Sequence, residues 1–106
     1  MNLRMKTGEL RFRVSMREYE RLLGGEVLKE VILFPDSTQL TFQVVSKDYP
    51  NEDYVLNFKN GLIELLLSKD FLRRNKEALE QKEGLVLNEE NVRIVFQVDI
   101  FSKNKK

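Results

Sequence analysis

Four cations, Arg4, Lys6, Arg11 and Arg13, alternate with Leu3, Met5, Leu10, Phe12 and Val14 near the start of the chain. Side chains of a strand point alternately to its two faces, so this spacing predicts a β-ribbon with one apolar and one cationic face. If Thr7-Gly8 turns the chain, Leu3 faces Phe12, Met5 faces Leu10, and Arg4 stands directly across from Arg11. A single strand bulged at Gly8 is the competing reading. Like charges directly opposite are destabilising unless something offsets them. The arginine fork matches phosphate and carboxylate bidentately, so Arg4, Lys6, Arg11 and Arg13 form a candidate anion-binding site. The plainer alternative is that Glu9, Glu18, Glu30 or Asp99 neutralises them from a neighbouring strand.

Other chemistry finds few residues to work with. The 106 residues include no His, Cys or Trp. A Ser-His-acid triad is therefore impossible for Ser15, Ser37, Ser46 or Ser68, and zinc, haem and most transition metals lose their usual ligands. There is no glycine-rich phosphate loop, and no cofactor is expected. Acids cluster at Glu89-Glu90 and across Asp48, Glu52 and Asp53, where paired carboxylates can hold Mg²⁺ or Ca²⁺ or move protons. Both clusters fall in turns, where solvated charge is explanation enough. The strand-lined tunnel of a phosphoryl-transfer enzyme needs charged alternation throughout, yet later strands carry Gln39, Thr41, Gln43, Asn57, Glu64 and Gln97. Eighteen basic and 17 acidic residues leave a net charge of +1, which argues against a dedicated nucleic-acid binder. No apolar run approaches the ~18 residues of a membrane span, and no apolar segment follows Arg4 and Lys6 as in a signal peptide. The expectation is one cytoplasmic domain over residues 1–101, with a solvated basic tail over 102–106.

The elements that position the ribbon are legible in turn. Ser15 and Glu18 form a capping box, and Val14 with Tyr19 a hydrophobic staple, so a helix is predicted at Met16–Leu23, stopped by Gly24-Gly25. Val27–Phe34 and Gln39–Val45 read as strands joined at Pro35-Asp36-Ser37-Thr38. Tyr54–Leu67 reads as a hairpin turning at Asn60-Gly61, with Phe58 opposite Ile63, Leu56 opposite Leu65, Tyr54 opposite Leu67 and Asn57 opposite Glu64. A second helix is predicted over Lys69–Gln81, then strands at Leu85–Leu87 and Val92–Phe101. The fold expected is α+β: an antiparallel sheet of six to seven strands, curling toward a partial barrel, with two helices. No internal repeat is visible. The predicted inward set includes Leu10, Phe12, Val14, Leu22, Leu40, Phe42, Val44, Leu56, Phe58, Ile63, Leu65, Ile94, Phe96 and Val98. Val45, Val55, Val95 and Phe101 fall on the polar sides of their strands. Either the second helix covers them or they form an interaction surface for a second copy or another protein. Were Val92–Phe101 an edge strand, it would suit a two-fold dimer.

Leu3-Arg4-Met5-Lys6, Leu10-Arg11-Phe12-Arg13-Val14-Ser15 and Glu18 resemble the opening of a family of small bacterial proteins of unknown function. Members of that family begin with an alternating K-I-R-I-K-G-x-S-L-R-L-R-L-T-x-x-E segment. The similarity continues at Phe34, at Leu40-Thr41-Phe42, and through Phe58, Gly61 and Ile63. It extends to Val92-Arg93-Ile94-Val95. There the chain departs, carrying Gln97-Val98-Asp99 in place of an acidic-basic-acidic run. The resemblance implies a shared fold and no activity.

Two functions remain in competition. The first is a non-enzymatic binding or protein-interaction domain, suggested by the missing nucleophile–base pairs and by the apolar residues on polar strand faces. The second is a small-anion, phosphate or nucleotide-binding domain using Arg4, Arg11 and Arg13. A concave site lined by convergent charged side chains favours the second. A flat apolar patch or an open strand edge favours the first.

Overall fold

A computed structural model describes residues 1–48 and 52–99. The first half holds β1 (Asn2–Lys6), β2 (Glu9–Ser15), α1 (Met16–Leu23), β3 (Leu28–Leu33) and β4 (Gln39–Lys47). The second holds β5 (Tyr54–Lys59), β6 (Leu62–Ser68), α2 (Lys69–Arg74), α3 (Lys76–Leu79), β7 (Leu85–Glu89) and β8 (Val92–Asp99). No helix among the described residues is long and apolar enough to cross a membrane.

The strands form two four-stranded sheets, ordered β1-β2-β8-β7 and β3-β4-β6-β5. Every hairpin is antiparallel, and the registers of β1-β2 and β5-β6 are those the alternation predicts. The expected antiparallel-only, barrel-like sheet of six to seven strands is corrected here. The described residues form eight strands in two mixed sheets that do not close, each with a parallel pair at its centre, β2 with β8 and β4 with β6. Each parallel pair joins strands that are not consecutive in the chain, and turn chemistry between consecutive strands carries no information about it. Val92–Asp99 is one of those central strands, so the expected dimer through a free edge there loses its premise. Phe101 and the tail 102–106 lie outside the described residues.

Each sheet takes one hairpin from each half of the chain, which makes the molecule a structural repeat that the sequence conceals. Residues 1–48 run hairpin, helix, hairpin, and residues 52–99 do so again. Ser15 and Ser68 cap the equivalent helices through their side-chain oxygens. Gly8 and Gly61 occupy equivalent turns, with φ of 80° and 77°. Each glycine carbonyl accepts a 2.8 Å hydrogen bond from the parallel partner strand, Gly8 from Arg93 and Gly61 from Thr41. The registers agree as well: Phe12 lies beside Phe96 as Leu65 lies beside Val44, and Ser15 beside Asp99 as Ser68 beside Lys47.

One core serves both sheets and the helices, with Phe12, Leu22, Val44, Leu65, Leu72, Leu79, Ile94 and Phe96 completely buried. The α1 helix keeps its predicted bounds and its complete capping box. The second predicted helix is broken. Asn75, with φ −110° and ψ 22°, interrupts it, and its side-chain amide donates to the Phe71 carbonyl at 2.9 Å. Such side-chain competition with the backbone is the reason Asn is a poor interior helix residue. Phe58 is also corrected: its register and face are as predicted, yet it is 69% exposed. It sits at the turn end of the edge strand β5, as Met5 (55% exposed) does on the edge strand β1, and the core that buries Ile63 across from it does not reach out to the edge there.

The two equivalent glycines separate backbone conformation from crowding. A Cβ at Gly8 would meet nothing within 4 Å, whereas one at Gly61 would stand 2.9 Å from the Gln39 carbonyl oxygen. Gly8→Ala should cost about 1 kcal/mol for the left-handed conformation alone. Gly61→Ala should cost distinctly more, because a backbone oxygen must also move. Urea unfolding of the two variants measures the difference.

Candidate anion-binding site

The polar face of the β1-β2-β8-β7 sheet is built in rows across the strands. Arg4 pairs with Arg11, which lies beside Val95 and then Val86. Asn2, Arg13 and Gln97 form the next row, and Lys6, Glu9, Arg93 and Asn88 the row on the other side. Period-two alternation sends all these side chains to the face away from the core. The result is Arg4, Lys6, Arg11, Arg13 and Arg93 on one surface, with Glu9 and Asp99 the acids among them in the described residues, in a chain whose overall charge is +1.

The turn after α3 adds a wall. Gln97 donates through Nε2 to the Lys82 carbonyl at 2.7 Å, and a Cβ on Gly84 would stand 3.1 Å from a Val95 methyl. Residues 82–84 thus lie against β8, cover Val95 completely and bring Lys82 to the rim. The resulting depression, about 250 Å³, is lined by Asn2, Arg4, Arg11, Arg13, Lys82 and Gln97. A second hollow on Arg4, Met5, Lys6, Glu9 and Arg11 adjoins it through the two shared arginines.

The acids only partly answer the cations. Arg13 Nη2 bonds Asp99 Oδ2 at 2.8 Å. Arg11 Nε is 3.6 Å from Glu9 Oε2, which also serves Arg93 at 4.0 Å through its other oxygen. Among the described residues no carboxylate comes within 4.0 Å of Arg4, Lys6 or Lys82. Glu18 and Glu30 are engaged elsewhere, by the Met1 ammonium at 2.6 and 3.4 Å.

The internal repeat supplies a control. Where this sheet has Arg4, Arg11 and Arg13, the other has Asn57, Glu64 and Leu66, and Glu64 accepts a 2.6 Å hydrogen bond from Gln43. The same hairpin on the same scaffold is therefore made without arginines, with Lys59 alone kept where the first has Lys6. The arginines are not a requirement of the fold.

A family model matches residues 1–99, nearly the whole chain. The chain belongs to that family, a family of unknown function (DUF7009). No curated protein and no solved structure is significantly similar to it. The family thus leaves function to be argued from the site itself.

Of the residues expected to matter, Arg4, Lys6, Arg11 and Arg13 share one face, as the alternation predicts. Lys82, Arg93 and Gln97 were not foreseen. Alternation places Arg93 and Gln97 on the polar side of their strand, but nothing local says that this strand lies beside β2. The expected apolar surface separates: Val95 is fully buried under residues 82–84, Val45 and Val55 are half-buried beside Leu66, and Phe101 lies outside the described residues. Two acids of the suspected clusters are tied to cations, Asp48 to Lys69 at 3.6 Å and Asp53 to Arg74 at 3.0 Å. Among the described residues no three acids come together as a metal cage.

Several carboxyl and other groups are shifted in the fold. Burial alone would raise Glu18, but hydrogen bonds from the Met1 ammonium and Ser15, with the ammonium charge, hold its carboxyl below the ordinary range. Burial first, then the charge of Glu80, pushes the Tyr19 hydroxyl up. Hydrogen bonds from Thr38 lower Asp36, and the hydrogen bond to Asp70 raises Arg74.

Two outcomes follow. Replacing Arg4 by Gln removes a like-charge pair directly across the ribbon, so the free protein should gain about 0.2–1 kcal/mol, fading as salt screens the repulsion. Urea unfolding at low and high salt tests this. Because the folded carboxyl of Glu18 is depressed, its contribution is complete above the ordinary carboxylate range and disappears as pH falls through the lowered value. Glu18→Gln should therefore destabilise the protein at neutral pH and flatten the acid limb of its stability curve.

Proposed function

We propose that the polar face of the β1-β2-β8-β7 sheet is a receptor for a small phosphate-like dianion. The observation that supports this best is the Arg4–Arg11 pair, directly opposed, with no carboxylate among the described residues within 4.0 Å of Arg4, in a depression that is also lined by Arg13 and Lys82. A bound anion removes the repulsion that the free protein carries and accepts charge-assisted hydrogen bonds from the guanidinium forks. Asn2 and Gln97 line the same hollow, and their amides suit oxygens beyond the charged group. Asp99 competes with the ligand for Arg13. A doubly charged group overcomes that competition better than a single carboxylate, which sets the preference for phosphate over acetate.

Thermal unfolding in phosphate, pyrophosphate or a nucleoside monophosphate, against chloride at matched ionic strength, tests the reading. Ligand at about 100 times its dissociation constant should add ~2.7 kcal/mol, a rise of several degrees for a domain of this size. Arg11→Gln should abolish the rise without lowering the Tm of the free protein. No stabilisation by any of these anions removes the proposal.

A further inference from the structure

Four strands lie at sheet edges, β1, β7, β3 and β5. An edge presents unpaired N–H and C=O groups, and proteins commonly protect it with charged or otherwise unfavourable residues. β1 carries Arg4 and Lys6, β5 carries Asn57 and Lys59, and β7 carries Asn88 and Glu89. β3 differs: after Lys29 and Glu30 it continues Val31-Ile32-Leu33, and these are 47%, 45% and 72% exposed, with Phe34 beyond them at 45%.

The internal repeat shows that the fold does not demand this. β3 and β7 are equivalent edge strands, since Leu28 pairs with Val44 as Leu85 pairs with Phe96. On that alignment Val31, Ile32 and Leu33 correspond to Asn88, Glu89 and Glu90. One edge is polar and guarded, and its counterpart is apolar on both faces. A helix laid on one face would leave the other face and the backbone edge uncovered. A strand covers all three.

We infer that β3 is the contact of a two-fold homodimer, pairing antiparallel with β3 of a second copy so that two four-stranded sheets run on as one of eight strands. A two-fold axis normal to a sheet makes one residue its own partner, and the charges select which. Centring on Lys29 or Glu30 sets like charges directly opposite. Centring on Leu33 opposes Glu30 to the partner's Asp36 and brings Pro35, which has no N–H, into the ladder. Centring on Ile32 shortens the overlap of the strands. Centring on Val31 pairs residues 29–33 of each copy with no charge facing a charge: Lys29 lies across from the partner's Leu33 and Glu30 across from the partner's Ile32. The strand is self-complementary in that register.

The natural chain has no cysteine, so the register can be read by cross-linking. Val31→Cys should form an interchain disulfide under mild oxidation. Residues opposite their own copies have Cα atoms about 4.5–5.5 Å apart, within the 4.4–6.8 Å that a disulfide spans. Leu33→Cys should not, since in this register its copy lies about 14 Å away along the strands. Sedimentation equilibrium of the unmodified protein up to millimolar concentration should show a reversible dimer. Val31→Lys, which opposes two ammonium groups, should return a monomer with an unchanged circular dichroism spectrum. A strict monomer across that range, a dimer that persists in Val31→Lys, or faster cross-linking at residue 33 than at 31 would each overturn the inference. None of these results bears on the anion site, which lies on the other sheet.

Discussion

The pairing of β2 with β8 and of β4 with β6 is the interaction on which the rest of this structure depends. Each parallel pair joins one hairpin from each half of the chain, so neither half completes a sheet alone. Phe12, Phe96, Val44 and Leu65, all fully buried, sit on those central strands. The candidate site depends on the same pairing. Arg11 and Arg13 come from the first hairpin, while Gln97 and the turn that carries Lys82 arrive with the last.

Two equivalent hairpin pairs on one scaffold make it possible to ask what the fold itself requires. Positions alike in both halves are structural: the capping serines, the turn glycines, the apolar residues facing the core. Positions that differ are free to be specialised. Three arginines on one ribbon against Asn57, Glu64 and Leu66 on the other mark one specialised surface. Val31, Ile32 and Leu33 on one edge against Asn88, Glu89 and Glu90 on its counterpart mark a second. The two lie on different sheets, so ligand binding and strand pairing do not compete for the same residues.

Local chemistry made much of this legible in the sequence. Ser15 with Glu18 bounded α1, Asn60-Gly61 set the β5-β6 register, and alternation placed Arg4 opposite Arg11. The strand order was not legible, because every signal that could be read was a turn, a cap or a period, and the decisive contacts join strands that do not follow one another in the chain. The repeat was hidden for the same reason. The halves share caps, turn glycines and inward apolar character, and little else, so too few letters recur for the repeat to show. Phe58 shows the remaining limit: alternation gives the face of a side chain but not how far the opposing layer extends. Asn75 shows that a helical period can be interrupted by one residue whose amide binds its own backbone.

Cross-half pairing also governs the order in which the molecule can assemble. During synthesis the first half emerges as two hairpins and a helix, with β2 and β4 each lacking the neighbour that will occupy the centre of its sheet. Local turns form in microseconds, but the β2-β8 contact waits for a chain more than twice as long and for closure of a loop from Leu10 to Ile94. β4 gains its neighbour once β6 is made, but β2 stands with open backbone until β8 arrives, so it is the strand longest exposed to misassociation.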